Sequence, residues 1–343
     1  MSEFVLRRAD VRVLLSHLAL YGLGAILEDA GVSDIGLAWT AGMTPRGVIR
    51  GDGLTGDMVD ALVREHADRH AVEPSWVLRD VELKGLVRGL MSPRLTPFEE
   101  PKTWRQVQNA RHAELDRLTE SRNWTDLRFL AALGEPCYWS RNDKDRTLQD
   151  DGASRLEMQP RNQGSEFVGT RLRALAKNVS ARAPGAVASG IEGLTTTDEA
   201  ASNKARGLTA TGLANPGPTD NALVWCALFG ISQLPTAPRI NSAASTSGHI
   251  GRRREWFYVP VWEATWRPAR LRSVLASRQL KEMAGVGLPD PWGTESARAV
   301  GAREWLAARG VVGVVRFPIE RFGSDNAPER RAMLGVPLPI RMS

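Results

Sequence analysis

Apolar positions in VRVLLSHLALYGLGAILEDAG (residues 11–31) recur on one helical stripe and stop at Gly31, a residue suited to a left-handed helix end, so the spacing predicts a helix. SDIGLAWT follows with strand-like character and RGVIRG extends it. Residues 57–70 (DMVDALVREHADRH) read as an amphipathic helix with Met58, Leu62 and Val63 on its apolar face. After the proline-containing SPRLTPFEEPKTW, strong helix formers occupy 104–118, and DLRFLAALG repeats the pattern until Gly134 and Pro136 break it.

Residues 141–218 change character. SRNDKDRTLQDDGASR, QPRNQGSEFVGTRLRALAKNVSAR and a run rich in small residues (185–218) predict mostly loop. A core signature returns in NALVWCALFGISQLP, read as a buried helix, and in REWFYVPVWEATW, whose aromatic and β-branched density suits a strand. One helix is predicted over 266–284, with a proline near its first turn, and another over 294–309 with Thr294 as N-cap. VVGVVRFPIERFG closes as strand and turn, and no fixed-period repeat is present. The expectation is an α+β fold, multi-lobed, of mixed helices and short, mostly antiparallel sheets, with helices towards the C-terminus. Its parts are an α+β module (1–97), a helical segment with long polar loops (98–218) and a second α+β module with two amphipathic helices (219–343).

Composition narrows the function classes. The chain of 343 residues is 42% hydrophobic and 24% charged, near the globular average, which excludes a wholly disordered chain. Its net charge is +6, and arginine dominates the basic set, as a GC-rich genome or selection for bidentate phosphate contacts would each produce. Cys137 and Cys226 lie far apart in apolar or aromatic company and read as reduced core residues. Without a signal peptide or a membrane-length apolar run, a cytoplasmic protein is expected.

Catalytic signatures are missing: no nucleophile elbow, phosphate-binding loop or dinucleotide fingerprint follows a predicted strand. His66 and His70 lie one helical turn apart in HADRH, but Ala67 stands where a zincin has its glutamate, so a solvated helix face is expected and no metal or other cofactor. His17 reads as a hydrogen-bonded core histidine and His112 as part of a charged helix. The acidic run Asp143, Asp145, Asp150 and Asp151 reads as a solvated loop, with a metal-dependent nuclease as the alternative it would support.

Two segments combine features suited to a polyanion. In RINSAASTSGH and the residues after it, Arg239, Asn241, Ser242, Ser245 and His249 precede the triplet Arg252, Arg253, Arg254 and the aromatics Trp256, Phe257 and Tyr258. Guanidinium forks and backbone N–H groups grip phosphate oxygens, while Asn and Arg read base edges. Residues 239–282 hold nine basic against three acidic residues, an excess equal to that of the whole chain. The second segment places Arg161, Asn162, Gln163, Arg171, Arg173, Lys177 and Arg182 around a loop-to-helix junction. An ordinary surface loop beside a helix with snorkelling arginines is the plain alternative for both.

LALYGLGAILEDAG with GLAWT, then NALVWCALFGISQLPTAPR, then FYVPVWEATWRPARLRSVLASRQL resemble, in order and spacing, the large-subunit proteins of type I-G (formerly I-U) CRISPR systems. The resemblance implies a non-catalytic DNA- and RNA-binding subunit of a crRNA-guided Cascade in antiviral defence. Such a subunit contacts target double-stranded DNA at the protospacer-adjacent motif and aids R-loop formation, while a recruited helicase-nuclease does the cutting. Its implied partners are the other Cascade subunits, the crRNA and target DNA, with no membrane. The chain departs from larger relatives in lacking a terminal helical bundle, and its candidate site residues rest on local chemistry. A scaffold whose basic face binds protein or RNA only inside an assembly is a further alternative.

Overall fold

The computed structural model describes residues 2–83, 85–93, 95, 101–136, 153–154, 167–199, 219–237, 245–251, 255–286, 297–324 and 327–340. Its first layer is an antiparallel sheet in which β3 (Gly47–Gly51) lies between β1 (Ser2–Leu6) and β2 (Gly36–Trp39). Against it lies α1 (Leu14–Asp29), buried over nearly its whole length from Leu14 to Leu27, as a helix apolar on all sides must be. Gly31 follows at φ +81°, the left-handed conformation that glycine adopts without steric cost.

Helix α2 (Gly56–Ala71) begins at Thr55, whose hydroxyl accepts from the Met58 amide. It is followed by the hairpin of β4 (Asp80–Leu83) and β5 (Leu86–Gly89), then by α3 (Pro101–Glu120) and α4 (Trp124–Leu133). Gly134 at φ +91° stops α4, as its sequence foretold. A π-helical turn (Phe167–Leu172) leads into α5 (Arg173–Ser180) and α6 (Ala186–Glu192). Asp60 of α2 caps α6, accepting from the amides of Val187 and Ala188 at 2.9 and 3.0 Å.

Helix α7 (Asn221–Gly230) crosses α1 at the centre of the molecule. After the short pair β6 (Thr236–Ala237) and β7 (Ser245–Thr246) comes the C-terminal sheet. Its hairpin β8 (His249–Gly251) and β9 (Glu255–Trp262) is separated from the rest of the sheet in sequence by α8 (Pro268–Leu275), α9 (Arg278–Gly285) and α10 (Ala297–Ala307). Then follow β10 (Val311–Ser324), β11 (Ala327–Ala332) and β12 (Val336–Pro339). β10 pairs with β9 on one side and with β12 and then β11 on the other, all antiparallel. The sheets meet where Leu37 exchanges two backbone hydrogen bonds with Trp266 (2.7 and 2.8 Å) and accepts a third from the Trp262 indole (2.9 Å). Trp262 and Trp266 stack with centroids 4.5 Å apart.

One buried cluster runs from Phe4 to Ile340, including Trp76, Trp225, Trp262 and Trp266. Burying such rings contributes about 4–6 kcal/mol each before the entropy of ordering them is subtracted. The fold is α+β with small antiparallel sheets, as expected from the sequence.

Four local expectations need correction. The single helix expected over 266–284 is two: Ser277 accepts from the Leu280 amide and starts α9 afresh after α8 ends. The helix at 173–180 is the one expected at the loop-to-helix junction, but within the run 185–218 expected to be loop, 186–192 is also helical because Val187 and Ile191 join the core. Strands β1, β4, β5, β6, β7, β8, β11 and β12 lie where no strand is predicted. His66 and His70 are not on a solvated face: α2 turns both towards α4 and α7, and both are buried. Cys226 is a buried free thiol whose ionisation burial disfavours; Cys137 and Thr294 lie outside the described residues.

Candidate nucleic-acid interface

Of the residues expected to meet nucleic acid, Arg161, Asn162, Gln163, Arg239, Asn241, Ser242, Arg252, Arg253 and Arg254 lie outside the described residues, as does the acidic run from Asp143 to Asp151. Ser245 opens β7, opposite Ala237. His249 is half-buried in β8, its ring against Phe257 and its Nε2 3.8 Å from a Glu255 carboxylate oxygen, so it faces an acid.

The second segment divides. Arg171 and Lys177 are exposed, whereas Arg173 donates to both Asp80 carboxylate oxygens (2.7 and 3.3 Å) and to the Val77 carbonyl (3.2 Å), tying α5 to β4. Arg182 is more deeply engaged. It donates to Asp220 Oδ1 (2.5 Å), to both Glu199 oxygens (2.7 and 3.2 Å) and to the Thr197 carbonyl (2.9 Å). Asp220 also accepts from Ala222 and Thr197 amides and the Thr195 hydroxyl, which makes it the hub joining α5 to the start of α7. Burial opposes the Arg182 charge, but Glu199 and Asp220 outweigh it and hold the guanidinium more firmly protonated than usual.

At one end of the C-terminal sheet the geometry gathers charge. Gly251 pairs with Glu255, and Arg252, Arg253 and Arg254, which fall between them in sequence, lie outside the described residues; Glu255 in turn pairs with Ile319, where β9 begins. Beyond that point β10 and β11 continue without β9 over residues 320–324, about 17 Å of two-stranded ribbon at ~3.4 Å per residue. The ribbon sets Arg321 opposite Arg330 and Glu320 opposite Arg331. Arg330 is exposed, with Nε 3.3 Å from Glu255. The sequence reading missed Arg321, Arg330 and Arg331; the signal was ERRA in a strand whose partner carries ERF, legible only once their register is known.

A second constellation is wholly interior. His70 donates from Nδ1 to the His66 carbonyl (2.6 Å), and its Nε2 lies 2.8 Å from Asp126 Oδ1. Asn123 Nδ2 donates to Asp126 Oδ2 (2.6 Å), and the Trp225 indole donates to His66 Nδ1 (3.1 Å). His66 Nε2 is buried with no hydrogen-bond partner. Burial, with the charges of His70 and Arg69, pushes His66 well below the ordinary imidazole value, so its ring is neutral. Burial also opposes the Asp126 charge, but His70 and Arg69 prevail and hold it below the usual carboxylate range. Nothing in the spacing of HADRH pointed to Asp126, which is 56 residues beyond His70.

No family model matches the chain, and no curated protein or solved structure matches it either. Among the described residues no helix is long and apolar enough to cross a membrane.

Proposed function

We propose that the protein is a non-catalytic, DNA-binding large subunit of a crRNA-guided CRISPR surveillance complex. In this reading it contacts the protospacer-adjacent motif duplex and aids R-loop formation beside the other Cascade subunits and the crRNA. A recruited helicase-nuclease then cuts the DNA. The observation that supports the reading is the ribbon at one end of the C-terminal sheet, whose register carries Arg321, Arg330 and Arg331; in sequence, Arg252–Arg254 fall between the paired Gly251 and Glu255. Those six arginines outnumber Glu255, Glu320, Asp325 and Glu329 in the same stretches. Arginine forks suit phosphate oxygens and groove edges, and guide pairing leaves such a subunit only a short motif and duplex shape to sense. Exposed Arg171 and Lys177 fit a further backbone contact.

Co-expression with a type I guide complex tests the reading. The chain is expected to co-purify with crRNA and to restore binding of motif-bearing duplex. Plasmid incubated with the isolated chain and magnesium or manganese should stay intact. Cleavage abolished by Asp145→Asn would instead establish the nuclease, and co-purification without any effect on DNA binding would leave a scaffold.

A further inference from the structure

The buried constellation of His66, His70 and Asp126 is not used by the reading above and does not depend on it. Two imidazoles from one face of α2 and a carboxylate from α4 converge, their candidate donor atoms all within 4.8 Å of one another, among Trp225, Phe229 and Trp76. We propose that these three side chains bind one divalent transition-metal ion of the zinc class, which locks α2 to α4.

Three observations support the assignment. Two imidazole nitrogens and a carboxylate oxygen are a donor set that Zn²⁺ and Co²⁺ accept, and all three residues are at most 3% exposed. Outer partners of the kind that orient ligands are already in place: His70 Nδ1–H is held by the His66 carbonyl, leaving Nε2 for an ion, and Asn123 holds the second oxygen of Asp126. The third is His66 Nε2, a buried ring nitrogen with no partner.

Binding has a defined balance. The proton that His70 Nε2 shares with Asp126 leaves for solvent and the ion takes its place. At His66 the proton moves from Nε2 to Nδ1, and the Trp225 indole N–H, which Nδ1 now cannot accept, turns away. Donor atoms around a four-coordinate ion lie about 3.3 Å apart, since the bonds are ~2.0–2.1 Å, so the ion would part His70 Nε2 and Asp126 Oδ1, now 2.8 Å apart, while donor pairs wider than that spacing close on it. The two rings and the carboxylate leave one position for water.

The test is a titration of the full-length, chelator-treated protein with Co²⁺, followed by visible absorption, then displacement by Zn²⁺. One equivalent is expected to bind with ligand-field bands and to raise the melting temperature. His66→Phe suits the surrounding aromatic pocket and should fold, yet weaken Co²⁺ binding more than about 100-fold, beyond what loss of an outer partner costs. Trp225→Phe, which removes the competing indole, should bind more tightly than the parent. A folded parent that takes up no stoichiometric Co²⁺ overturns the proposal. Uptake unchanged in His66→Phe does the same, because the ion then sits elsewhere.

Discussion

A Cβ placed on Gly22 would stand 1.8 Å from the carbonyl oxygen of Cys226, and one on Gly230 would stand 2.0 Å from the carbonyl oxygen of Leu18. The two central helices therefore cross backbone to backbone at a distance that only glycine permits. Alanine at either position must push α1 and α7 apart and loosen the core on both sides. Gly22→Ala and Gly230→Ala should each cost more than about 3 kcal/mol, at the upper end of overpacking, or abolish folding. Gly301 is the control, since a Cβ there meets nothing within 4 Å and the residue is an exposed helix position in α10. Gly301→Ala should stabilise by about 0.5–1 kcal/mol in urea unfolding, and equal effects at all three sites would contradict the packing described.

Acid should weaken the fold through His17. Its Nε2–H donates to the Val11 carbonyl at 2.7 Å, and Tyr21, Trp39 and Phe317 surround the ring. Burial lowers it to about 4 against the aid of Val11 and Asp10. Between about pH 4 and 6.5 the unfolded chain binds a proton that the folded one does not, so stability is complete above 6.5 and declines as pH falls through that window. At pH 5 the loss from this group is about 2 kcal/mol, at 1.36 kcal/mol per pH unit. Urea midpoints at pH 7 and 5 measure it. His17→Phe should be less stable at pH 7 yet show a shallower pH slope, and an unchanged slope would remove His17 as the cause.

The basic residues of α5 and its neighbours should separate into structural and surface groups. Arg182→Ala leaves Asp220, 1% exposed, as a buried charge without its cation and should cost about 3–5 kcal/mol. Arg173→Ala breaks a pair about one-third exposed and should cost no more than about 1 kcal/mol. Lys177→Ala and Arg171→Ala should stay within about 0.5 kcal/mol, so any effect they have on DNA binding is an effect on contact. Thermal unfolding of the four variants checks the order.

The parts of the fold legible in the sequence were those with internal periodicity. The apolar run of α1, which is buried on all sides rather than along one stripe, the aromatic β9 and the proline-led α8 satisfy their own patterns, and Gly31 and Gly134 end helices for local steric reasons. What stayed hidden depends on partners remote in sequence. α6 is short and gains its helix start from Asp60, 127 residues away; β11 acquires its strand from pairing with β10. The histidines of HADRH looked solvated because their spacing says nothing of Asp126 or Trp225, which enclose them. Of the candidate interface, the arginine triplet could be read directly. The ribbon arginines could not, since strand register is a property of the folded sheet.

In the proposed function, Arg252–Arg254 and the ribbon arginines grip a DNA backbone. The most direct measurement is the affinity of the purified chain for duplex DNA across a salt series, for the parent and for the variant with Arg252, Arg253 and Arg254 all changed to Ala. Each neutralised phosphate contributes about −0.9 to the slope of log affinity against log salt, so three lost contacts should flatten it by about 2.7. A slope the same in both proteins would contradict the account.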